Sequence, residues 1–300
     1  MEIRKLEVFC KVVELKSFTL AAEAVLLSQP TVSEHIRNLE QELEQKLVDR
    51  LNREVTPTAV GLLLYDYARK ILRTRHEAIQ AVKQFSGILV GRIMIGCGTI
   101  PGTYILPNLI HQFGQQYPSI KATLRITSSQ IIAKMVLDGH LELGVVGAKW
   151  NENKLEWIEQ FSDELILAVH PNHHWAQRDS VSLQEIIKEP FILREPESGT
   201  RKAFAQVLKN YELKESDILE IAEIGSTAAV KEAVKAGIGI AVLSQYAVKD
   251  DVSCGRLVTI RIKEQRLQRP FYLIKRKNKA LPPVASTFFE YLQERAEEKD

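Results

Sequence analysis

The chain of 300 residues is 45% hydrophobic and 26% charged, with a formal net charge of +2 at pH 7. These ordinary fractions predict two or three compact units with a well-buried core. No apolar run reaches the length of a membrane span, about 18 residues, and the N-terminus lacks a signal-peptide core, so we expect a cytoplasmic protein with no membrane partner. The three cysteines are far apart, which argues against a disulfide framework or a zinc site.

A pair of short helices is predicted near the N-terminus, within residues 17–50. The first helix runs roughly from Thr19 to Leu26, with Ser17 or Thr19 at its N-cap. Its expected buried side chains are Ala21, Ala22, Val25 and Leu26. A tight turn follows, and Pro30 suits the start of a second helix, where its missing N–H is not needed.

The second predicted helix has one apolar and one polar face. The apolar stripe repeats every three or four residues, through Val32, Ile36, Leu39 and Leu43. On the polar face a glutamate can accept from cytosine N4, and an arginine can bind guanine N7 and O6, so this helix suits the major groove of double-stranded DNA. The predicted DNA contacts are Ser28, Gln29, Pro30, Thr31, Ser33, Glu34 and Arg37, with Arg50 and Arg53 of a following wing on phosphates.

The alternative is that any amphipathic helix pair in a small bundle shows such a stripe. Charge does not decide between the two interpretations, because residues 1–58 contain more acidic than basic side chains. A net-acidic module cannot coat DNA indiscriminately, so binding would depend on local placement and on dimerisation.

The same segment resembles the LysR-type transcriptional regulators. The residues that follow the family signature in order and spacing are Ser17, Phe18, Thr19, Ala21, Ala22, Leu26, Ser28, Gln29, Pro30, Val32, Ser33, Ile36, Leu39, Glu40, Leu43, Leu47, Arg50, Thr56, Pro57, Thr58, Ala59 and Gly61. Two residues depart from the signature: Glu44 occupies a position that is usually Gly, and Val48 one that is usually Phe. Both departures affect the expected packing before the wing. Glu34 occupies a position that is often basic or Gln, which bears on the operator that is read.

A long helix is predicted from Thr58 to Phe85, ending near Gly87. Its apolar stripe is Val60, Leu64, Tyr67, Ile71, Ala78, Val82 and Phe85. The alternative is an ordinary amphipathic helix packed on its own domain. The length of the helix and its position between two dissimilar segments favour a dimerising linker, and the family resemblance implies the same. Two recognition helices held by one coiled coil would read half-sites at a fixed spacing.

From Gly91 onward short strands and helices alternate, which predicts parallel α/β units. Among them are a predicted helix at Ile105–Gln116 and a predicted strand near Leu165–His170. The order resembles the two-lobed type 2 periplasmic-binding-protein fold. The expected fold class is therefore α/β, with an N-terminal winged helix-turn-helix, a long linker helix and a two-lobed effector domain. The expected domains are residues 1–58 for DNA binding, 59–88 for the linker, and 89–300 for the effector domain, with lobe I at 89–163 plus 268–300 and lobe II at 164–267.

Ligands in such folds lie beyond the carboxyl ends of the strands, against helix N-termini. Four segments at those places are rich in hydroxyls and backbone amides: residues 98–101, 127–129, 198–201 and 225–227. They predict a neutral, donor-rich pocket for a small anion, although Ser and Thr also cap helices without any ligand. The predicted effector contacts are Thr99, Ser129 and Thr200 by family position, then Ser128, Arg201 and Thr227, with Thr103 near the start of the following helix.

The expected function is that of an effector-responsive regulator of transcription, not an enzyme, and we expect neither a cofactor nor a metal. The strand ends hold hydroxyls and glycines where an enzyme would need a titratable pair. His170, His173 and His174 cluster in sequence without carboxylate or cysteine partners at ligand spacing. The remaining alternative is a solute-binding protein or enzyme on the same two-lobed fold.

Ligand identity is predicted from resemblance alone. Residues 98–107, 144–149, 194–201 and 225–227 are similar to family members that control sulfur, carbon or selenium assimilation. The resemblance implies a sulfur or selenium oxyanion, and the alternative is a phosphorylated metabolite or a short organic acid. Ligand binding would tilt the two lobes, change the packing of a tetramer and alter the spacing of the recognition helices.

Overall fold

The computed structural model describes residues 1–51, 54–85 and 89–297. The chain divides into two compact units, Met1–Gly87 and Ile88–Asp300. In the described ranges no helix has both the length and the apolar character needed to cross a membrane.

The first unit is a helical bundle with a two-stranded hairpin. Its elements are α1 (Ile3–Leu15), α2 (Phe18–Val25), α3 (Gln29–Leu43), β1 (Val48–Leu51), β2 (Glu54–Pro57) and α4 (Ala59–Phe85). The strands β1 and β2 are antiparallel. The apolar stripe of α3 is fully buried at Val32, Ile36 and Leu39, where it meets Phe9 of α1 and Ala21 of α2. The predicted helix pair therefore owes its packing to that stripe.

The ends of the helices in this unit explain three signature positions. The carboxylate of Glu40 accepts from the backbone N–H groups of Leu47 and Val48 at 2.9 and 3.4 Å, which ties the end of α3 to β1. A Cβ on Gly61 would lie 2.0 Å from the carbonyl oxygen of Leu47, so only glycine fits there. Leu26 was expected in the core and this is wrong. It is the left-handed C-cap of α2, with its side chain 91% exposed.

Helix α4 presents two apolar faces. Leu64, Tyr65 and Leu72 pack against the core of the first unit, and Ala68 is fully buried in it. A second set of apolar side chains on the same helix is exposed: Val60, Leu62, Leu63, Tyr67, Ile71, Ile79 and Val82. Leu64 therefore belongs to the core of its own unit and not to the exposed stripe in which the sequence placed it.

The second unit is built on an eight-stranded mixed sheet. Its strands run in the order β4, β3, β5, β12, β6, β11 and β7, with β10 also paired to β6, and a separate parallel pair joins β8 and β9. The strands are β3 (Gly91–Cys97), β4 (Ile120–Ile126), β5 (Leu143–Val146), β6 (Leu155–Val169), β7 (Ser180–Val181), β8 (Phe191–Arg194), β9 (Glu220–Ile224), β10 (Ala241–Ser244), β11 (Val258–Ile262) and β12 (Leu267–Arg276).

Within the described residues six helices and two short turns lie between these strands, and a seventh helix follows β12. The helices are α5 (Leu106–Gln116), α6 (Ser129–Leu137), α7 (Leu183–Ile186), α8 (Gly199–Asn210), α9 (Thr227–Lys235), α10 (Gln245–Ser253) and α11 (Pro283–Glu297). A π-helical turn, Pro101–Ile105, precedes α5, and a 3-10 turn spans Glu215–Asp217. The turn at Pro101 delays the predicted start of the helix at Ile105 by one residue.

Two lobes share the long strands β6 and β12. Residues 155–165 of β6 pair with β12, whereas residues 165–169 pair with β10 and β11. One core surrounds β3, β5, α5 and α11, and we call this part the first lobe. Another core surrounds β8, β10, β11 and α8, and we call this part the second lobe. This two-lobed α/β arrangement, after a winged helix-turn-helix and a long helix, confirms the predicted fold class.

Candidate DNA-binding surface and ligand cleft

The first turn of α3 is held by its own hydroxyls. The Ser28 hydroxyl oxygen accepts from the backbone N–H of Thr31 at 3.3 Å, and the two hydroxyl oxygens lie 2.8 Å apart. Pro30 occupies the first turn, as predicted. Gln29 donates from Nε2 to the Ser33 hydroxyl oxygen at 3.0 Å. Ser28 and Thr31 thus form hydrogen bonds that cap the N-terminus of α3. This role does not require DNA binding.

The remaining predicted DNA contacts on α3 share one face. Glu34 and Arg37 are exposed and Ser33 is half-buried, on the side of the helix opposite Val32 and Ile36. Arg50 lies on β1, and nothing is described of its side chain, while Arg53 lies outside the described residues. The structure therefore brings the predicted base contacts together and leaves the predicted wing contacts undescribed.

In the second unit, four helical segments begin at the carboxyl ends of strands. They are the turn after β3, α6 after β4, α8 after β8 and α9 after β9. Between the first three of these segments lies a small inner cavity of about 10 Å³, which is room for about one water molecule. Its lining includes four of the predicted effector contacts: Thr99, Ser128, Ser129 and Thr200. The oxygen of Ser129 already accepts from the backbone N–H of Gly147 at 3.0 Å.

Two buried arginines that were not predicted also line the inner cavity. Arg194 is 4% exposed and Arg269 is 5% exposed. Arg269 donates from Nε and Nη2 to Oδ2 of Asp163 at 2.9 and 2.7 Å, and from Nη1 to the Thr200 hydroxyl at 3.1 Å. Asp163 is also buried, and its Oδ1 accepts from the Ser244 hydroxyl at 2.7 Å. The predicted Thr200 is thus held by a guanidinium from the strand that both lobes share.

The pKa values of this pair show how strongly the site is desolvated. Burial lowers the pKa of the Arg269 guanidinium, against the attraction of Asp163, and the charge of Arg194 lowers it further. Burial likewise raises the pKa of the Asp163 carboxyl, while Arg269 and Ser244 act in the opposite direction. The two guanidiniums therefore repel each other across the cavity, and an anion between them would relieve that repulsion.

Arg194 ends strand β8 and has a carboxylate partner next to it in sequence. Its Nε and Nη2 donate to the two carboxylate oxygens of Glu195 at 2.7 and 2.8 Å. Its Nη1 donates to the hydroxyl of Thr227, and that hydroxyl lies 3.3 Å from the hydroxyl of Thr99. Thr99 belongs to the first lobe and Thr227 to the second, so this chain of hydrogen bonds joins the two lobes.

A larger outer chamber of about 440 Å³ adjoins the inner cavity and shares Thr99 and Ser128 with it. The other residues that line the outer chamber are Ile126, Thr127, Ile131, Glu195, Glu197, Gly225 and Ser226. The cleft therefore has a small end lined by two carboxylate-paired guanidiniums and a roomier end with hydroxyl, apolar and carboxylate groups.

Three predicted effector contacts line neither cavity: Thr103, Arg201 and Thr227. The hydroxyl of Thr227 instead accepts from Arg194. Thr103 is exposed on the π-helical turn. Arg201 donates to Glu215 and Glu223 at 3.0 and 2.6 Å and to the backbone oxygen of Arg194 at 2.7 Å. Its guanidinium thus braces the end of β8 from outside the cavities.

Cys97 and the histidine cluster line neither cavity. Burial raises the pKa of the Cys97 thiol to about 12, so the reactive thiolate is disfavoured. His173 and His174 do have a carboxylate partner, since their Nε2 atoms lie 3.5 and 3.4 Å from Glu189. The sequence expectation on that point was wrong, because Glu189 is distant along the chain. The Nδ1 atom of His173 accepts from the N–H of Trp175, which places the proton on Nε2, where a metal would need a lone pair.

Comparison with known proteins identifies both units. Residues 3–62 match the family described as bacterial regulatory helix-turn-helix protein, lysR family, and residues 86–297 match the LysR substrate binding domain. A probable RuBisCO transcriptional regulator from Cyanidioschyzon merolae is 30% identical over 96% of this chain and 96% of its own length.

Two solved structures resemble the chain. The regulatory domain of CcmR from Synechocystis PCC6803, in complex with 2-PG, is 26% identical, with a TM-score of 0.64 over 70% of this chain and 99% of that domain. The LysR family transcriptional regulator CbnR is 22% identical, with a TM-score of 0.74 over 100% of both chains, a likeness that concerns the fold alone.

Proposed function

The chain belongs to the LysR family of bacterial transcriptional regulators, and from that premise we propose that it reads its operator with the exposed face of α3 and responds to a small phosphorylated acid in the cleft. A DNA-binding regulator modulated by a ligand, and not an enzyme, is the function common to this family. The observation that carries the proposed ligand class is the pair of buried guanidiniums, Arg194 and Arg269, in a cavity that the first residues of α6 and α8 also line.

The DNA-binding proposal rests on the chemistry of the exposed face. Arg37 is exposed and can approach guanine N7 and O6. Glu34, which lies one turn of α3 before Arg37, can accept from the amino group of a cytosine. Ser33 precedes both residues on the same face of α3 and can bond to either a base or a phosphate. Arg50 and Arg53 are proposed to contact phosphates on the basis of their sequence positions in the predicted wing alone.

Dimerisation through α4 is proposed from its exposed apolar face. Leu63, Tyr67, Ile71 and Val82 are exposed, at 60, 57, 36 and 72%. Tyr67 and Ile71 lie one turn apart, and Leu63 lies one turn before them, so the three form a continuous stripe. A second copy of α4 would bury this stripe and hold two α3 helices at a fixed separation. Assembly of such dimers into a tetramer is part of the same proposal.

The ligand class follows from charge and from the relatives. The relatives do not support the predicted sulfur or selenium oxyanion. One is a probable RuBisCO regulator, and another is a domain in complex with 2-PG, a 2-phosphoglycolate-like ligand. Two guanidiniums and several helix N-termini suit a doubly charged phosphate group. The outer chamber has room for the remaining part of a phosphorylated acid. Because Thr99–Thr227 and Arg269–Thr200 connect the lobes, a ligand bound there would change the angle between them.

The test uses two pairs of substitutions in the full chain. Ser33→Ala with Arg37→Ala should weaken operator binding, measured by fluorescence anisotropy at fixed salt with a site selected from random DNA. Thr99→Val with Thr200→Val should leave that binding intact and abolish the stabilisation of the protein by 2-phosphoglycolate, which at about 100 times the dissociation constant adds roughly 2.7 kcal/mol. Lys11→Ala, exposed on α1 and paired with Glu14, is the control.

Unchanged operator affinity in the first variant would refute the assignment of α3. Stabilisation of the wild-type chain by sulfate or selenite, and not by phosphorylated acids, would refute the ligand class. A full ligand response in the second variant would refute the position of the site.

A further inference from the structure

The buried guanidinium of Arg194 already holds an anion that the chain itself supplies. Glu195 meets it with both carboxylate oxygens, at 2.7 and 2.8 Å, which is the two-pronged geometry with which arginine binds carboxylate ligands. Arg194 is 4% exposed, whereas the side chain of Glu195 keeps 18% of its surface exposed. The pair therefore joins a fixed, desolvated cation to a carboxylate that can still reach water.

The two members of this pair line different cavities. Arg194 lines the inner cavity of about 10 Å³, and Glu195 lines the outer chamber of about 440 Å³. A ligand anion that enters the inner cavity meets a guanidinium whose Nε and Nη2 are already engaged. If Glu195 turns away, its charge moves into a chamber that is large enough to hydrate it and that already contains the hydroxyls of Thr127 and Ser226.

From this geometry we infer that Glu195 competes with the ligand for Arg194, so that the cleft accepts phosphate monoesters and rejects carboxylates as the group bound in the inner cavity. The inference rests on the proposed effector site and selects between the two ligand classes, phosphorylated metabolite and organic acid. Glu195 is on this account the residue that determines specificity.

The physical argument is an exchange of anions. A ligand carboxylate that displaces Glu195 makes the same two bonds to Arg194 and gains little, because it replaces an equal group that is tethered one residue away at a high effective concentration. A phosphate carries a charge of about −1.5 to −2 and three acceptor oxygens. It can bind Arg194 and Arg269 together and cancel the repulsion between them, which a single carboxylate charge cannot do fully.

The size of the inner cavity supports the same choice. Before Glu195 moves, the inner cavity has room for about one water molecule. It can therefore hold one small group of a ligand and not a whole metabolite. The helix that begins at Gly199 closes the far wall, where a Cβ on Gly199 would lie 2.9 Å from the backbone of Gly147. The ligand head must therefore make its contacts with the groups already present, Arg194, Arg269 and the Thr99 and Thr200 hydroxyls.

The test compares two ligands that differ only in the phosphate, 2-phosphoglycolate and glycolate, by titration calorimetry on the full chain. The wild-type protein should bind 2-phosphoglycolate about 100-fold or more tightly than glycolate. Glu195→Ala should bind glycolate about tenfold more tightly than the wild type does, which reduces the ratio of the two affinities. Glu195→Gln, which keeps an acceptor on Arg194 without the charge, should act in the same direction if the Ala variant folds poorly. Inorganic phosphate and acetate form a second matched pair.

The matched control is Glu223→Gln. Glu223 forms an ion pair of the same kind, 2.6 Å from Nη1 of Arg201, but it lines neither cavity. Its replacement should leave both affinities unchanged, whereas a general effect of net charge would alter both in this variant as well.

Two results would overturn the inference. One is equal affinity of the wild-type chain for both ligands. The other is a preference for 2-phosphoglycolate that neither Glu195→Ala nor Glu195→Gln changes by more than about twofold, since Glu195 would then not compete. In either case ligand binding itself would still support the proposed effector site. Absence of binding by all four probes, in the wild type and both variants, with operator binding retained, would instead refute the proposed site together with the inference.

Discussion

The two units of this chain handle anions with arginine in opposite ways. On α3, Arg37 is exposed beside Glu34 in a unit that is net acidic. In the cleft, Arg194 and Arg269 are almost completely buried, and each has a carboxylate partner, Glu195 and Asp163. The first arrangement suits a long polyanion whose phosphates and base edges approach from solvent, and the second suits one small anion removed from water.

The difference has a thermodynamic consequence. An exposed arginine costs the folded state little, and its attraction to DNA is screened by salt. A buried arginine is costly unless a partner neutralises it, and its interactions are screened much less. The residues of α3 proposed to bind DNA are therefore nearly independent of folding, whereas Arg194 and Arg269 in the cleft are part of what holds the lobes together.

The largest expected effect is that of Arg269→Met on stability. It removes the partner of Asp163 and leaves a buried charge unpaired, which costs about 3–5 kcal/mol. Urea denaturation of the full chain at neutral pH, followed by fluorescence, measures the loss. Arg269→Met combined with Asp163→Leu is the control and should recover most of the stability, because neither charge then remains. A loss below about 1 kcal/mol in the single variant would mean that water reaches the pair.

The start of α3 and its buried and exposed faces could be predicted because they depend on residues close together in the sequence. The period of the stripe from Val32 to Leu39 fixes which face is buried, and Pro30 and Ser28 fix where the helix starts. The cleft hydroxyls were found for a similar reason. Thr99, Ser129 and Thr200 follow strands directly, and the carboxyl ends of parallel strands meet at one edge.

The two buried arginines were missed for different reasons. The partner of Arg269 is distant along the chain, whereas the partner of Arg194 is adjacent and only the burial of Arg194 was missed. Asp163 and Arg269 meet only through the pairing of β6 with β12, which a single sequence does not reveal. A signal was nevertheless present. Arg269 alternates in register with the buried Leu267 and Phe271, so the period of the strand places it on the inward face. Arg194 likewise ends a strand whose four residues are all buried.

The same limit explains the strand that was predicted too short. The first part of β6 contains charged residues, Glu156, Glu159 and Asp163 among them, and was left out of the predicted strand. Its pairing with β12 brings these residues into the sheet through contacts from the C-terminal part of the chain. Local propensity underestimated the strand because tertiary pairing determines it.

A smaller effect is expected at Asp251, where a buried carboxylate meets partly exposed cations. Hydrogen bonds from Lys231 and Arg256, both at 2.7 Å, hold the pKa of this carboxyl well below its usual range, and Lys235 adds to them. A lowered pKa contributes stability that is present above the ordinary carboxyl pKa, about 3.9, and is lost as the pH falls toward the folded-state value.

Asp251→Asn should therefore destabilise the chain by about 1–2 kcal/mol at pH 7 and by progressively less below about pH 4. Denaturation of both proteins across this range measures the difference. A difference that stays constant down to pH 2 would show that the loss is not one of charge. The exposed pair of Lys11 and Glu14 on α1 provides the contrast, since Glu14→Gln should show little change at any of these pH values.

The smallest expected effect is a gain in stability in the DNA-binding unit. Glu44 is the C-cap of α3 with a φ of 52°, a left-handed conformation that glycine adopts without steric cost. Glu44→Gly should therefore stabilise the chain by about 0.5–1 kcal/mol, which explains why the LysR signature favours glycine there. Gln41→Gly, inside the same helix, is the matched control and should destabilise by about 1 kcal/mol. If Glu44→Gly raises the urea midpoint without changing the affinity for 2-phosphoglycolate, the strain at the end of α3 is independent of the cleft. A loss of stability in this variant would mean that the Glu44 side chain makes contacts worth more than the strain it imposes on the backbone.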